Sequence, residues 1–410
     1  MNVKVNFDRL KNDIQTLAEI GKSPDRGIYR MAFSPGDIEA RKWLITLINK
    51  ANLESRVDSA GNIFAKLTGA DDSKSWIIGS HIDTVPAGGH LDGSLGVLCG
   101  IEVLRSLLEI NYKPKNSIEV VAFTDEEGRF GGLFGSEAFI GELTPERIHN
   151  AIDLSGISIT DAMLEIGLHS MDALDAKRNP QTIAGYIELH IEQGPILDLS
   201  KIPIGIVEDI TGLFKWQVRL TGTANHAGTT PMNMRKDAFQ GLAEFSLEIP
   251  RILEEIGSEK SVATIGRVSL FPGSANTVPG RVDFSLDVRD TSSEVLQALS
   301  DSFRKTISAI ARRRGLMFDF EVLSSVTPAA SDPKILSAIE NACNRQKVKY
   351  IKMSSGAAHD AQIMARVTNM GMIFVPSKNG RSHSPAEWTP WEDIQIGADI
   401  LLETIQELTK

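Results

Sequence analysis

Two side chains able to bind a divalent metal follow a short apolar run in the first quarter of the chain. The run 76–78 is bounded by polar and turn residues, which predicts a buried strand. His81 and Asp92 are then expected in loops at the carboxyl end of that strand, and the Pro and Gly residues between them predict a turn that brings the two together. An imidazole and a carboxylate placed in this way form half of a metal site. Asp83 is expected to accept the second N–H of the His81 ring, and the plain alternative is a hydrogen-bonded histidine in a polar loop.

Three consecutive acids, Asp125, Glu126 and Glu127, follow a second β-branched run, 117–123. Three neighbouring carboxylates repel one another unless a cation or solvent relieves the repulsion, so a solvated acidic turn explains them when they are considered alone. At the same sheet edge as His81 and Asp92, however, one glutamate is suited to bind metal and the other to act as a general base.

Two further histidines occur at the ends of predicted strands. Alternation in YIELHIEQGP, residues 186–195, predicts a strand with Glu188, His190 and Glu192 on one face, which could line a cleft. The strand 370–375 is followed by the loop GRSHSPAE, which contains His383.

The five candidate ligands come from widely separated parts of the chain and are all predicted at strand ends or faces of one sheet. They are His81, Asp92, Glu127, His190 and His383. Imidazoles and carboxylates with no thiolate suit two zinc-like ions that share a bridging carboxylate. The residue types do not choose among zinc, manganese, cobalt and nickel.

The elements that position these residues predict an α/β domain with an insertion. Residues 1–209 and 328–410 alternate helices and strands in a doubly wound pattern. Residues 210–327 have a different order, in which strands are expected at 214–220, 262–270, 281–289 and 317–323, and helices at 237–256 and 293–313. This βαββαβ order predicts a small antiparallel sheet with two helices on one face.

Composition excludes several classes of partner. The 410 residues carry a formal charge of −10, with a sequence pI near 5.4, so nucleic acids and anionic membranes are repelled on average. The apolar runs are too short for a signal peptide or a membrane span, which predicts a cytoplasmic protein. Cys99 and Cys343 lie in apolar, helix-like stretches and are expected to be buried free thiols rather than a disulfide or metal ligands.

Nine motifs in this order resemble the N-carbamoyl-L-amino acid hydrolase and allantoate amidohydrolase family, a branch of the dinuclear metallopeptidases and acylases. They are HIDTVPAGG, LDG, DEEGRF, ELHIEQGP, NHAGTTPM, GSANTVPG, DVRD, SGAAHDA and SHSPAE. The resemblance covers almost the whole chain, and HIEQGP and NHAGTTPM are specific to the ureido-cleaving branch. It implies a mixed-sheet, metallopeptidase-like catalytic domain and an inserted α+β domain that serves as a lid and makes a homodimer.

The resemblance also implies a role for each candidate residue. Asp92 bridges two ions, His81 and His190 complete one site, and Glu127 with His383 complete the other. Glu126 is the general base. The implied substrate contacts are Gln193, His226, Asn276, Arg289 and Gly356, of which His226 also takes part in catalysis.

Most of these contacts have a simpler reading. Arg289 could pair with Asp287 or Asp290 on a strand surface. His226 alone is typical of an exposed polar residue, and Asn276 of a turn. A helix cap with a structural hydrogen bond would explain His359 and Asp360, which otherwise could support the metal ligands.

Two positions depart from the family pattern. Ala358 stands where the family usually has glycine, which adds a methyl group near the expected pocket. The DEEGRFGG segment is one residue shorter than in many members just after Gly128, so the placement of Arg129 is open.

The reaction that these residues imply is hydrolysis of the carbamoyl group of an N-carbamoyl-L-amino acid, releasing ammonia, carbon dioxide and the amino acid. A bound metal ion would lower the pKa of its water towards ~7, Glu126 would remove the proton of that water, and His226 with Asn276 would stabilise the oxyanion. The alternatives are an allantoate amidohydrolase or β-ureidopropionase, then an aminoacylase or dipeptidase, and lastly a non-catalytic metal-binding protein. An intact Glu126 favours an enzyme, since a binding protein needs no base.

Overall fold

A computed structural model describes residues 3–410, which divide into two compact units. One unit runs to Glu208 and resumes at Ala330, and the other is Asp209–Ala329. The expected insertion, residues 210–327, lies inside the second unit. Among the described residues, no helix has both the length and the apolar character needed to cross a membrane.

The α-helices, in chain order, are α1 (Phe7–Glu19), α2 (Pro35–Lys50), α3 (Ser94–Glu109), α4 (Phe134–Ile140), α5 (Pro145–His149), α6 (Ile159–Leu164), α7 (Ile196–Ser200), α8 (Ala238–Ile256), α9 (Ser293–Arg314), α10 (Pro333–Gln346), α11 (Asp360–Met364) and α12 (Trp391–Leu408). Short 3₁₀ helices cover Ser170–Ala176, Pro180–Thr182, Met232–Met234 and Lys378–Gly380.

The strands are β1 (Glu54–Val57), β2 (Ile63–Leu67), β3 (Asp71–His81), β4 (Asn116–Phe123), β5 (Ile183–Ile191), β6 (Ile204–Ile210), β7 (Gly212–Thr221), β8 (Asn225–His226), β9 (Val262–Thr264), β10 (Val268–Phe271), β11 (Thr277–Val278), β12 (Arg281–Asp290), β13 (Met317–Val326), β14 (Ala329–Ala330), β15 (Tyr350–Ser355) and β16 (Met370–Val375).

A mixed sheet forms the centre of the first unit, as the family resemblance implies. Its order is β1-β2-β4-β3-β5-β16-β6-β14, with β15 beside β6. The four central strands, β4, β3, β5 and β16, are parallel to their neighbours within this group, whereas β2 and β6 join it antiparallel. Parallel pairing aligns the carboxyl ends of the four central strands along one edge of the sheet.

Helix α3 packs tightly on this sheet because its first turns contain glycine. A Cβ built at Gly96 would collide with the carbonyl oxygen of Leu189 on β5. Cys99 lies in this helix and Cys343 in α10, and both are buried free thiols, as predicted.

The second unit is a sheet of order β10-β12-β7-β13 with β9 also beside β12, and a separate pair β8-β11. Buried and more exposed residues alternate along both β7 and β12. The buried apolar residues of these strands pack in one core cluster with the buried faces of α8 and α9. The expected single strand 262–270 is wrong in detail, because Thr264 lies opposite Asp287 while Val268 lies opposite Phe284. The register therefore shifts by one residue between Thr264 and Val268, as in a β-bulge.

Candidate metal centre

The carboxyl ends of the parallel strands bring the five expected ligands of the first unit into one cluster. His81 is the last residue of β3 rather than part of a loop, and His190 lies near the end of β5. Asp92 precedes α3, Glu127 follows β4, and His383 follows β16. Their positions at one sheet edge explain how residues so distant in sequence come together.

Asp92 lies at the centre of the cluster. Its Oδ1 is 3.1 Å from His190 Nε2 and 3.8 Å from His81 Nε2. Its Oδ2 is 3.3 Å from His383 Nε2, which is in turn 3.4 Å from Glu127 Oε2. Two groups of donors therefore share one carboxylate: His81, Asp92 and His190 on one side, and Asp92, Glu127 and His383 on the other.

The charges in the cluster depend on burial and on one another. Burial lowers the pKa of His81 to about 4, so this imidazole is neutral at pH 7. Burial also opposes protonation of His190, but the Asp92 carboxylate outweighs it and raises the pKa to about 9. The hydrogen bond to Asp92 likewise raises the pKa of His383 to about 9. Burial, followed by the charge of Asp92, raises the pKa of Glu127 to about 8.

These donors fit a pair of divalent cations. Glu127 Oε1 is buried and has no hydrogen-bond partner among the described residues, so one lone pair is left to be satisfied. His81 Nδ1 is 3.0 Å from the carbonyl oxygen of Asp83, and His190 Nδ1 is 2.9 Å from that of Ile191. Because a backbone carbonyl faces each Nδ1, the Nε2 atom of each ring is the one turned towards Asp92 Oδ1, at 3.8 Å for His81 and 3.1 Å for His190.

The expected role of the Asp83 side chain is wrong. Its carboxylate is 3.7 Å from His81 Nδ1, which instead meets the backbone carbonyl of the same residue. The Asp83 carboxylate accepts the backbone N–H groups of Glu126 and Glu127, at 3.4 and 3.1 Å. It therefore holds the acidic loop beside the end of β3.

The two glutamates of that loop have different neighbours. Glu126 Oε2 is 3.4 Å from His81 Nε2, whereas Glu127 Oε2 is beside His383. Burial, and then the charge of Glu127, raises the pKa of Glu126 well above its usual value. A carboxylate with a raised pKa next to a candidate metal ligand is suited to take up and release a proton.

Asp125 does not join the cluster but shapes the loop that carries its neighbours. Its carboxylate accepts the backbone N–H groups of Phe130 and Gly132. Arg129, whose placement the sequence left open, donates to Asp153 at 3.0 Å and to the carbonyl of Ala32 at 2.7 Å. Its contacts are therefore structural.

Gln193 is the expected substrate contact that lies directly at the ligands. Its Nε2 is 2.7 Å from Asp92 Oδ2, and its Oε1 is buried without a hydrogen-bond partner among the described residues. Gly356 and Ala358 lie in the exposed loop after β15. A Cβ built at Gly356 would meet no atom within 4 Å.

The remaining expected contacts, His226, Asn276 and Arg289, belong to the second unit. His226 on β8 pairs with Thr277 on β11, and the carbonyl of Asn276 accepts the N–H of Ala227 at 2.8 Å. His226 Nδ1 accepts the N–H groups of Gly228 and Thr229 at 3.0 and 3.2 Å. In the neutral ring the proton is therefore on Nε2, which makes that atom a donor.

Arg289 makes the surface pair that the sequence left as an alternative. Its Nε donates to Asp287 Oδ1 at 3.0 Å. Arg289 also lines a cavity of about 550 Å³ on the second unit, together with Lys215 and Arg267. The pair with Asp287 therefore holds a partly exposed guanidinium beside an open cavity.

The polar face of β5 is buried, and His190 on this face belongs to the ligand cluster. Glu188 is fully buried, and its carboxylate accepts the Ser80 and Tyr186 hydroxyls at 2.8 and 3.1 Å. His359 precedes α11, but its side chain does not cap that helix. Its Nε2 is instead 2.9 Å from Ser355 Oγ, and its ring packs against His190 with centroids 4.6 Å apart.

Sequence reasoning missed two residues that contact the Asp92 loop. Glu387 Oε1 accepts the N–H groups of Leu91 and Asp92 at 2.8 and 3.0 Å, and Ser382 Oγ donates to Asp92 Oδ2 at 2.7 Å. Both residues flank His383 in RSHSPAE, so their place in that motif was the available signal.

Comparisons with known proteins show the family of the chain. The model of peptidase family M20/M25/M40 matches residues 77–407. The N-carbamoyl-L-amino acid amidohydrolase of Geobacillus stearothermophilus is 37% identical over 410 residues, covering 99% of each chain. The allantoate amidohydrolase of Escherichia coli K12 is 34% identical over 402 residues, covering 97% of each. A crystal structure of a hydantoinase/carbamoylase family amidase from Burkholderia multivorans matches with a TM-score of 0.92 and 34% identity, over 100% of this chain and 99% of that one.

The family model, the full-length relatives and the solved structure thus confirm the family resemblance and the fold. The chain therefore belongs to peptidase family M20/M25/M40 and, within it, to the metal-dependent amidohydrolases of the N-carbamoyl-L-amino acid hydrolase and allantoate amidohydrolase family.

Proposed function

We propose that the protein hydrolyses the ureido group of N-carbamoyl-L-amino acids, releasing ammonia, carbon dioxide and the amino acid. The observation that carries the proposal is a carboxylate, Asp92, shared by two donor groups with Glu126 beside one of them. The full-length similarity to the Geobacillus stearothermophilus enzyme supports this choice of substrate.

Two divalent ions are the proposed cofactors, held by His81, Asp92 and His190 and by Asp92, Glu127 and His383. Zinc is the first choice because the donors are imidazole and carboxylate, and manganese, cobalt or nickel would also suit them. When bound, such ions polarise the ureido carbonyl and favour ionisation of water near neutral pH.

Glu126 is the proposed general base. It takes the proton of the attacking water and delivers it to the departing nitrogen, for which its raised pKa is suited. Gln193 is proposed to orient the ureido group. Its amide lies at the proposed ion site, where its Nε2 donates to Asp92 Oδ2 at 2.7 Å.

The other proposed substrate contacts recognise the two ends of the molecule. His226 donates from Nε2 to the developing oxyanion, together with the Asn276 amide, and Gly356 leaves space beside the substrate. Arg289 binds the substrate carboxylate through its planar guanidinium.

An allantoate amidohydrolase is the leading alternative, supported by 34% identity to the Escherichia coli enzyme. A β-ureidopropionase would use the same residues. An aminoacylase or dipeptidase is a more distant alternative, and a non-catalytic metal-binding protein would not require Glu126.

A substrate screen tests the proposal. Metal-free protein is reconstituted with Zn²⁺ or Mn²⁺ and supplied with N-carbamoyl-L-amino acids, allantoate, N-carbamoyl-β-alanine, N-acetyl amino acids and dipeptides, and ammonia or free amine is measured. We expect the highest kcat/KM on an N-carbamoyl-L-amino acid and no turnover after chelation. A higher kcat/KM on allantoate or on a dipeptide would contradict the proposed substrate.

A homodimer made through the second unit is also proposed. Its edge strand β13 is ten residues long and exposes Met317, Val322 and Leu323, which are 70%, 54% and 47% exposed. A long edge strand with exposed apolar side chains is suited to pairing with a second copy of the chain.

A cytoplasmic location is also proposed. Its support is the two buried free thiols, which suit a reducing compartment.

A further inference from the structure

A buried arginine outside the ligand set touches both segments that carry His81 and Asp92. Arg30 lies between α1 and α2 and is 0% exposed. Its Nε donates to the carbonyl oxygen of Ile82 at 2.6 Å, and its Nη2 donates to Ser94 Oγ at 2.9 Å. Ile82 directly follows His81, and Ser94 opens α3 just after Asp92 and Gly93.

The same residue is anchored at the end of α1. Its Nη1 donates to the carbonyl oxygens of Leu17 and Ile20 at 2.9 and 3.1 Å. Its backbone N–H donates to Thr84 Oγ1 at 3.1 Å, and its carbonyl accepts the Thr84 N–H at 3.1 Å. One planar guanidinium thus joins three segments, which the single ammonium of a lysine cannot reproduce.

The charge of Arg30 is retained although its acceptors are carbonyls and a hydroxyl rather than carboxylates. Burial lowers the pKa of Arg30 to about 10, and the negative charges of Asp37 and Asp83 oppose that shift. The group is therefore protonated at neutral pH. Burying a cation in this way costs free energy of folding. The hydrogen bonds of Arg30 to the three segments are what this cost maintains.

The segment between His81 and Asp92 must be held closely, because Gly93 touches the His81 ring. Gly93 has a φ of 63°, and a Cβ built there would collide with that ring. A small shift of Ser94 relative to Ile82 would move Asp92 relative to His81. Other groups hold the remaining ligand segments: Asp83 holds Glu127, and Glu387 reaches Ser382 beside His383.

We propose that Arg30 is a positioning residue of the metal centre, which fixes the separation of the His81 and Asp92 segments and so preorganises the ion site of His81, Asp92 and His190. The inference rests on the proposed two-ion centre. Arg30 contacts the segments of two ligands of this site, His81 and Asp92, but of the other site only the shared Asp92, so its loss should weaken one ion more than the other.

The test measures Zn²⁺ affinity rather than turnover. Metal-free wild type, Arg30→Lys and Arg30→Met compete for Zn²⁺ with a chromogenic chelator. We expect one of the two sites to weaken by ~10–100-fold in both variants, as is typical when a group that orients metal ligands is removed. The second site should change less, and Arg30→Lys should not rescue the first despite its charge.

Arg105→Met is the matched control, because Arg105 is also a buried arginine and its Nη2 lies 2.6 Å from Asp13 Oδ2, towards the other end of α3. It should lower the midpoint of urea unfolding without changing either Zn²⁺ affinity. If Arg30→Met does not fold, Ser94→Ala removes one contact of the guanidinium and should weaken the same site, with no further weakening when it is combined with Arg30→Lys.

The outcomes separate this inference from the proposed function. A wild type that binds no Zn²⁺ contradicts the two-ion centre itself. A wild type that binds two ions, with Arg30→Lys and Ser94→Ala binding both equally well, overturns the role of Arg30 and leaves the centre standing.

Discussion

Two adjacent glutamates meet different partners although one peptide bond separates them. Asp125, just before them, has a φ of 55°, and its carboxylate accepts N–H groups of the same loop. Asp83 then fixes the backbone of both glutamates. The loop is thereby held so that Glu126 is beside His81 and Glu127 is beside His383.

Exchanging each glutamate for glutamine should separate their proposed roles. Glu126→Gln keeps the shape of the side chain but cannot accept a proton, so we expect both ions to stay bound and kcat to fall by ~10²–10⁴. Glu127→Gln replaces an anionic donor and should lose one ion. Ion content by elemental analysis and steady-state rates check both. Full occupancy of both sites in Glu127→Gln would show that the roles have been exchanged.

The clustering of the five candidate ligands was predictable from sequence, because polar residues that follow buried strands are evident without a structure. Their supporting contacts were not. The sequence assigned the His81 N–H to the Asp83 side chain, but the backbone carbonyl of Asp83 takes that place. Which oxygen of a residue accepts a hydrogen bond depends on backbone direction, which residue types do not encode.

Among the elements, the loops after β3 and β16 are joined by one buried acid. Glu387 Oε1 accepts two N–H groups of the Asp92 loop, and its Oε2 is 2.9 Å from Ser382 Oγ in the loop of His383. Burial, followed by the charge of Asp92, raises the pKa of Glu387 above its usual value. A single side chain therefore couples loops from the two halves of a discontinuous unit.

Glu387→Ala should weaken both the fold and the metal centre. It leaves two buried N–H groups without their acceptor, which costs about 1–3 kcal/mol each in the free energy of unfolding. It also frees the Asp92 loop from the His383 loop, so we expect Zn²⁺ affinity to fall by ~10–100-fold. Urea unfolding and chelator competition measure the two effects.

Asp332→Ala is a suitable control, because Asp332 also accepts two backbone N–H groups, those of Lys334 and Ile335 at the start of α10. It should lower stability without changing Zn²⁺ affinity. Equal losses of affinity in both variants would mean that Glu387 contributes only to general stability.

Element boundaries were predictable where the apolar pattern is unambiguous. The strand 370–375 matches β16, which is buried at every position, because a strand covered on both faces reads as a continuous apolar run. The expected strand 262–270 failed because its apolar residues continue across the register shift between Thr264 and Val268, which interrupts pairing with β12. Pairing depends on the neighbouring strand, which a local pattern does not contain.

At the scale of the whole molecule, the proposed metal ligands belong to one unit and the proposed catalytic residue His226 belongs to the other. Glu126 and the five proposed ligands lie in the first unit, while His226 lies on β8 of the second. The order of the motifs along the chain indicates which residues act together. It does not indicate whether those residues come from one subunit or from two subunits of a dimer. The proposed homodimer would allow His226 to serve the site of the partner subunit.

A mixed-subunit experiment decides whether His226 acts within its own chain or across a dimer. His226→Ala and Glu126→Gln are each expected to be inactive, since one lacks the oxyanion donor and the other the base. If His226 serves the partner's site, a heterodimer has one site with both lesions and one intact site. Random exchange should then restore about one quarter of the wild-type rate per site.

If His226 serves its own chain, every site of the heterodimer carries one lesion and no activity returns. Differently tagged chains, co-purified after exchange, verify that heterodimers have formed, and exchange of each variant with itself gives the background rate. Verified heterodimers that stay at this background would contradict the role across the dimer. They would leave the metal centre untouched, because neither substitution removes a proposed ligand and both variants should still bind two ions.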